Sequence, residues 1–345
     1  MSKFKRVLAV ESSCDDTSVA VVDDKGFVEA CLSQSQYEAH KPFGGVVPEI
    51  ASRNHTYHLL PLIEATLEKA NREWSDIDGL VVTSCPGLVG SLIVGLVTVK
   101  TLALVYNKPF IGVNHLEGHI IAPLLRDESY QPNENFQYPF IALTVSGGHS
   151  SIYLVKEFGS YQTLGTTIDD AAGEAFDKFA KMVGLGYPGG VQVDQWAKKG
   201  DPKSYKFPRP LINEDHFNMS FSGLKTAAMR GIEKIPQEMR QEQLPHLCAS
   251  YQEAIVDVLL TKLDRAVKRL GIKRAVITGG VSANSRLREL SLQWASDHKI
   301  ELLTPPLRYC SDNAAMIGFA GIQRLNRGEF SEQNLGPAPR APLDS

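Results

Sequence analysis

Two histidines four residues apart are the strongest chemical signal in the sequence. His115 and His119 follow a strand-like segment at 109–113, and the pattern predicts that a helix begins there. Residues four apart lie on one face of a helix, about one turn from each other, so both imidazoles can bind one divalent ion. Spacing alone fits equally well a pair of hydrogen-bonded histidines in a buried turn. A metal site therefore needs a third ligand from elsewhere in the chain.

A late aspartate is the candidate for that third ligand. Asp312 precedes a predicted final helix at 314–325, and capping of this helix is the competing interpretation of the same residue. Two histidines and one carboxylate leave coordination positions open, as in a catalytic metal site. Glu117 lies between the histidines, but in zinc proteases the glutamate directly follows the first histidine. Here it falls about 200° around the helix, which disfavours a protease.

Three polar turns, each following a predicted strand, have the composition of anion-binding or ion-binding turns. They lie at 12–16, with Asp15 and Asp16, at 146–148, with two glycines, and at 279–284. Such turns expose backbone N–H groups that bind anions, while the carboxylates of the first suit a metal or a proton transfer. One glycine turn is weak evidence, because any tight turn needs glycine. Three together predict a nucleotide held between two lobes, without the P-loop or Rossmann patterns.

The strand pattern predicts a duplicated α/β fold. Strand, short polar turn and strand occur at 6–22 and again at 140–155, although hairpins are common enough to recur by chance. A strand at 77–83, a glycine turn, the apolar helix at 88–105 and the strand at 109–113 predict a right-handed crossover. The expected architecture therefore has two lobes, each built around a β-hairpin.

A long helix is expected between the first hairpin and this crossover. It spans 48–69, begins with a proline and contains a second one, Pro61, which is expected to kink or restart it. His55 and His58 lie on this helix. We interpret both as surface or hydrogen-bonded helix histidines rather than ligands.

Composition limits the possible classes of protein. The chain has 345 residues, which favours two domains, and its net charge of −3 gives no basic signature of nucleic-acid or membrane-surface binding. Its five cysteines are scattered, so we expect no disulfide framework and a location in the reducing cytoplasm. The apolar run at 88–105 is interrupted by polar residues, which favours a buried helix over a membrane span.

Seven motifs, taken together and in order, resemble the bacterial TsaD family. They are ESSCDDT at 11–17, HLEGH at 115–119, VSGGH at 145–149, DDAAGEAFDK at 169–178, FSGLK at 221–225, GGVSAN at 279–284 and DNAAMI at 312–317. The resemblance runs from the first strand to the last helix. The chain departs from it at Asp16, where the family often has glutamate, and at Val191, where the family usually has proline.

The resemblance implies a fold and an activity. The fold is a two-lobed actin-like ATPase fold of the sugar kinase and heat-shock type, with lobes expected at 1–112 plus 313–345 and at 113–312. The activity is transfer of a threonylcarbamoyl group from threonylcarbamoyl-AMP to N6 of the adenosine beside the anticodon, in tRNAs that read codons starting with A. A zinc-type metalloprotease and a non-catalytic nucleotide-binding scaffold stay open as alternatives.

The resemblance also implies ligands and partners. One divalent ion per subunit, iron with zinc as the alternative, would be bound by His115, His119 and Asp312, and Asp15 would be the catalytic aspartate. Threonylcarbamoyl-AMP, or ATP, ADP or AMP, would contact Thr144, Val145, Ser146, Gly147, Gly148, Asp177, Gly190, Asp194 and Asn284. The implied partners are tRNA, a TsaB-like paralogue, a TsaE-like ATPase and a TsaC-type enzyme that supplies the intermediate, with no membrane.

Overall fold

The strands of the chain form two mixed sheets of five strands each. The structure is a computed structural model and describes residues 2–344. Within that range the strands, in chain order, are β1 (Arg6–Glu11), β2 (Asp16–Asp23), β3 (Val28–Ser35), β4 (Gly79–Cys85), β5 (Phe110–Asn114), β6 (Phe140–Val145), β7 (Ser150–Glu157), β8 (Ser160–Thr166), β9 (Arg274–Thr278) and β10 (Glu301–Leu303).

Helices separate and cover these strands. Over residues 2–344 they are α1 (Tyr37–His40), α2 (Pro48–Ala70), α3 (Val89–Val105), α4 (His115–Ile121), α5 (Ala172–Met182), α6 (Gly189–Ala197), α7 (Ser222–Glu233), α8 (Arg240–Leu270), α9 (Ser285–His298) and α10 (Ala314–Asn326). Short 3₁₀ turns lie at Lys41–Phe43, Trp74–Asp76, Ala122–Leu124, Gln237–Met239, Gly280–Ala283 and Leu307–Tyr309. None of these described helices combines the length and the hydrophobicity that a membrane crossing requires.

The two sheets have the same strand order. The first runs β3-β2-β1-β4-β5, and the second, read from its opposite edge, runs β8-β7-β6-β9-β10. In each, three antiparallel strands are continued by two parallel ones. The hairpins pair Arg6 with Asp23 in one sheet and Phe140 with Val155 in the other. The predicted duplication of a hairpin-containing α/β unit is therefore confirmed.

By its internal contacts the chain divides into two compact units. The first extends to Asn135 and includes Pro305–Leu343, and the second comprises Phe136–Thr304 with Asp344. The lobes expected from the sequence change over at 112/113 and 312/313, so they differ from these units at 113–135 and 305–312. The reason is that β5 pairs with β4 and the following helix α4 packs on α10, so both belong to the first unit.

Helix α2 is continuous from Pro48 to Ala70, so Pro61 does not restart it. Proline lacks an N–H, so Pro61 cannot donate to the carbonyl of Tyr57, four residues earlier in the helix. Both residues are exposed. Water can therefore bind the carbonyl group that the proline leaves without a partner. The expected restart is thus wrong.

Helix α3 is apolar on two sides. One face, including Leu96, Val99 and Ala103, is buried in the core of the first unit. The opposite face carries exposed Val97 and Leu104. The apolar run is therefore only half buried, which leaves an apolar surface on the first unit.

Candidate functional site

The carboxyl ends of three parallel strands bring together the residues of the first candidate site. β1, β4 and β5 run parallel and end at Glu11, Cys85 and Asn114. Helix α4 begins directly after β5, and the Asn114 side chain caps it by accepting the Leu116 N–H at 2.9 Å. Because α4 begins at this edge, it carries His115 into the same neighbourhood as the end of β1.

His115, His119 and Asp312 converge on one point. Asp312 Oδ1 lies 3.0 Å from His119 Nε2 and 3.3 Å from His115 Nε2. The two rings are nearly perpendicular, with centroids 4.6 Å apart, and one donor atom from each of the three residues lies within 4.8 Å of the others. Ligands bound about 2.1 Å from one ion lie about 3 Å apart. The three residues therefore fit a divalent metal ion and form a candidate metal centre.

Asp312 does not cap the helix that follows it. The N-cap of α10 is Asn313, whose side-chain oxygen accepts the Met316 N–H at 3.0 Å. The carboxylate of Asp312 is directed at the two imidazoles instead. Of the two interpretations that the sequence allows for Asp312, the N-cap interpretation is therefore wrong.

Glu11 is a member of this site that the sequence reasoning missed. Its Oε2 lies 3.0 Å from His115 Nδ1, and Ser13 N–H donates to its Oε1 at 2.5 Å. The carboxylate is fully buried. A hydrogen on Nδ1 that is donated to Glu11 leaves Nε2 of His115 with its lone pair directed at the ion position. A glutamate at the end of an otherwise apolar buried strand is the signal that could have identified it.

The charges of this site are strongly coupled. Burial opposes charge on His115 and Asp312, but their attraction outweighs it, so the pKa of His115 is raised and the pKa of Asp312 is lowered. Burial, together with the charges of Asp15 and Asp312, raises the pKa of Asp16 to about 7. Asp15 thus shares an electrostatic neighbourhood with the metal ligands. A bound cation would relieve the repulsion among these carboxylates.

We predict that Glu11→Gln weakens metal binding about 10- to 100-fold, because the neutral amide orients His115 less firmly and lowers its basicity. The measurement is the metal retained by the purified protein across a series of chelator concentrations. Glu64→Gln, an exposed change of the same kind on α2, serves as the control. Unchanged metal retention in a folded Glu11→Gln protein would contradict the role given to Glu11.

The second unit repeats the same arrangement with glycine turns. β6 and β9 are parallel and end at Val145 and Thr278, so the turns after them meet at one edge of the sheet. The first turn closes with Ser146 N–H donating to the His149 carbonyl at 2.8 Å. At Gly279 φ is +92°, and a Cβ there would overlap the Val145 carbonyl. The two turns therefore pack backbone against backbone, which requires glycine at 279.

The starts of three helices make hydrogen bonds near these turns. Gly173 N–H at the start of α5 donates to the Ser146 carbonyl at 3.2 Å, and Asp177 accepts Gly189 N–H from α6 at 2.8 Å. Asp194 accepts Ser285 N–H at 3.1 Å, at the start of α9. That helix is capped by Asn284, which accepts Leu287 N–H at 3.0 Å. Asp177 thus joins α5 to α6, Asp194 joins α6 to α9, and Asn284 caps α9.

The expected nucleotide contacts differ in how accessible they are. Thr144 and Val145 are buried in β6, so their side chains belong to the packed sheet and are not accessible to a ligand. At Gly147 and Gly148 an added Cβ would meet no atom within 4 Å, so the space beside this turn is open. At Gly190 the nearest atom, Phe176 Cβ, would be 3.8 Å away. The backbone at these glycines is therefore open to a ligand.

Two sheets of matching strand order, each with a polar turn between the strands of its hairpin, define a protein of the actin-like ATPase fold. Two solved structures share it. Full-length HypF, in its phosphate- and nucleotide-bound form, aligns over 95% of this chain and 56% of its own, with a TM-score of 0.60 and 11% identity. Component A of (R)-2-hydroxyglutaryl-CoA dehydratase from Acidaminococcus fermentans covers 92% of this chain and 98% of its own, with a TM-score of 0.52 and 14% identity.

Sequence comparison gives the family. The TsaD family, described as tRNA N6-adenosine threonylcarbamoyltransferase, matches residues 28–319. The protein of that name from Bdellovibrio bacteriovorus is 58% identical over 98% of both chains. Its namesake from Geotalea uraniireducens is 46% identical over 98% of this chain and 97% of its own. The chain belongs to the TsaD family, as its motifs suggest.

Proposed function

We propose that this chain transfers a threonylcarbamoyl group from threonylcarbamoyl-AMP to N6 of the adenosine beside the anticodon, in tRNAs that read codons starting with A. The observation that carries the proposal is 58% identity, over 98% of the chain, to a protein named for this transfer. The mixed anhydride is already activated, so the enzyme must hold it, orient the amine and let AMP leave. We place the reaction in the cytoplasm, because the scattered cysteines suit a reducing compartment.

His115, His119 and Asp312 would hold the divalent ion, iron with zinc as the alternative. When bound, such an ion supplies Lewis-acid stabilisation of developing negative charge. Asp15 would orient the incoming N6 amine or accept its proton. Burial and the neighbouring carboxylates Asp15 and Asp312 raise the pKa of Asp16, and this concentration of acidic groups supports both a cation and a proton-accepting group at this place.

The turn at Ser146–Gly147–Gly148 would hold the AMP portion, or the phosphates of ATP or ADP, through backbone N–H groups. The open space beside Gly147 and Gly148 supports this. The turn at 279–284 packs against it, and Asp177, Gly190, Asp194 and Asn284 would complete the nucleotide site. Nucleotide binding by backbone groups makes the glycines themselves the residues to test.

Gly147→Ala is expected to leave the fold intact and to weaken AMP binding at least about tenfold. The methyl group clashes with nothing in the protein, but it occupies the space through which a ligand approaches the backbone. Calorimetric titration with AMP measures the change. Gly231→Ala, where an added Cβ also meets no atom within 4 Å, is the matched control. Wild-type AMP affinity in a folded Gly147→Ala protein would place the nucleotide elsewhere.

A protease is not supported by the surroundings of Glu117. Both of its carboxylate oxygens are bound by Arg324, at 2.7 Å and 2.8 Å, and the residue is fully buried. A carboxylate held in this way is not available to activate water as a zinc protease requires. The environment of Glu117 therefore disfavours the protease alternative.

The resemblance implies a TsaB-like paralogue as partner, and the outer face of α2 and α3 is the surface that we assign to it. Tyr57 is 75% exposed, Leu60 55%, Val97 56% and Leu104 67%. The two helices pack against each other, so we assign these exposed apolar side chains to one surface. Apolar surfaces of this kind mark protein interfaces, and a paralogue with the same hairpin and helices could present a matching face.

Val97→Glu is expected to abolish co-purification with the paralogue, because a charge at the centre of an apolar interface is left without a partner. Leu292→Glu, which changes an equally exposed leucine on α9, is the control. Co-elution on a sizing column measures the complex. If Val97→Glu instead abolishes self-association of this chain and leaves the paralogue bound, the surface belongs to a second copy.

One assay tests the transferase directly. Purified protein, the TsaB-like and TsaE-like partners with ATP, synthetic threonylcarbamoyl-AMP and unmodified tRNA are incubated with and without chelator, and modified adenosine is measured by mass. Chelator-sensitive modification is the expected result. In the cell, a TsaC-type enzyme would supply the intermediate. Nucleotide binding without any transfer would favour the scaffold, and chelator-sensitive peptide cleavage would favour the protease.

A further inference from the structure

A buried histidine on α2 contacts the turn that carries Asp15. His55 is fully buried, and its Nε2 lies 2.9 Å from the carbonyl oxygen of Cys14. On its other side, Nδ1 lies 2.7 Å from Thr17 Oγ1 and 3.4 Å from Gln36 Nε2, both of which carry hydrogens to donate. Nδ1 is therefore the acceptor and Nε2 the donor, so the imidazole donates a hydrogen bond to the Cys14 carbonyl.

This bond is one of a set that fixes the backbone of the turn. The Ser13 carbonyl accepts Leu88 N–H at 2.8 Å, and the Asp15 carbonyl accepts Gln36 N–H at 3.1 Å. The Cys14 carbonyl, between them, accepts both His55 and the Ser91 hydroxyl, the latter at 3.2 Å. Three successive carbonyls are thus held by groups from outside the turn, and the central one has two donors.

The turn needs such anchors because of the charges around it. Glu11, Asp15 and Asp312 lie in the electrostatic neighbourhood of Asp16, where burial and the charges of these three residues raise the pKa of Asp16. Repulsion of this kind favours any movement of the turn that separates the carboxylates. Hydrogen bonds to the backbone oppose that movement without changing the charge on the side chains.

We propose that His55 is a positioning residue, which holds Asp15 in its working place through the carbonyl of Cys14. The inference rests on the proposed function, in which Asp15 acts on the incoming amine. A misplacement of about 1 Å in a reacting group lowers rates up to about 100-fold. His55 lies on the buried side of α2, the helix whose exposed side we assign to the partner, and Ser91 lies on the buried side of α3. The two helices that would bind the partner therefore also hold the turn of Asp15.

Two amide variants separate this role from simple packing. The side-chain nitrogen of glutamine in His55→Gln can occupy the position of Nε2 and still donate to Cys14. The amide in His55→Asn reaches only the position of Nδ1, so it can bond Thr17 but not Cys14. We expect His55→Asn to lower kcat for transfer roughly 10- to 100-fold, with KM for threonylcarbamoyl-AMP and metal content unchanged. We expect His55→Gln to retain most of the rate.

Hydrogen exchange of the peptide covering 12–17 gives a readout that does not depend on activity. Exchange should become faster in His55→Asn and stay at the wild-type rate in His55→Gln. His58→Asn, one helical turn away and half-buried, is the control, and melting temperatures check that each variant is folded. If the wild type transfers nothing, the proposed function fails while exchange still tests His55. Equal rates and equal exchange in the two His55 variants would overturn the proposal.

Discussion

Replacing Asp312 with alanine is expected to remove the bound metal and to lower the transfer rate by about three orders of magnitude. Asp312 Oδ1 is the atom that both imidazoles face, at 3.0 Å and 3.3 Å, so its loss leaves only two ligands. A metal contributes several kcal/mol to charge stabilisation, and each 1.36 kcal/mol is a factor of about ten in rate. Metal content by elemental analysis and modified adenosine by mass are the two measurements.

The neighbouring residue provides the control for Asp312. Asn313→Ala removes the N-cap of α10 and is expected to cost about 1 kcal/mol of folding free energy. It leaves the ligand set untouched, so metal content should stay at the wild-type level. An Asp312→Ala protein that kept both its metal and its activity would rule out Asp312 as a ligand, whatever the distances.

Asp15→Asn is expected to lower kcat about 10²- to 10⁴-fold while the metal content stays unchanged. Asparagine has nearly the same shape as aspartate but neither accepts a proton nor attracts a developing positive charge on the amine. Because His115, His119 and Asp312 are unaltered, a loss of rate without a loss of metal separates catalysis from metal binding. Single-turnover transfer from synthetic threonylcarbamoyl-AMP, with the metal measured on the same sample, provides the test.

Asp16→Asn is the matched change one residue along the same turn. It removes a carboxyl whose pKa is raised to about 7 by burial and by Asp15 and Asp312. Its neutral form is therefore already well populated near neutral pH, and the substitution should change kcat much less than Asp15→Asn does. If the two variants lose equal activity, the effect belongs to the charge of the turn as a whole. Full transfer by Asp15→Asn with intact metal would remove the catalytic assignment.

The sequence predicts the sheets and the identity of the metal candidates well, because both depend on local pattern. Alternating apolar strands around short polar turns are visible at 6–22 and 140–155, and both are hairpins in the structure. The assignment of Asp312 is harder, since aspartate and asparagine are both good N-caps. Only the structure decides which of residues 312 and 313 caps α10 and which is directed at the histidines.

The sequence does not predict contacts between distant parts of the chain. Glu11 and His115 are 104 residues apart, and their bond requires β1 and β5 to end at the same edge of one sheet. His55 fits the expectation of a hydrogen-bonded helix histidine, but its partner, the Cys14 carbonyl, is a backbone atom 41 residues away. A backbone acceptor has no side-chain identity that a sequence pattern could detect.

The order in which the chain is made determines when its metal centre becomes complete. The main segment of the second unit, Phe136–Thr304, is inserted between the two segments of the first, so Asp312 is synthesised 193 residues after His119. At about 5–20 residues per second, the ribosome takes roughly 10 to 40 s to cover that interval. During this time the nascent chain holds two imidazoles without their carboxylate. The candidate metal centre is thus completed late in synthesis, and a chain truncated before residue 312 lacks the complete set of candidate ligands.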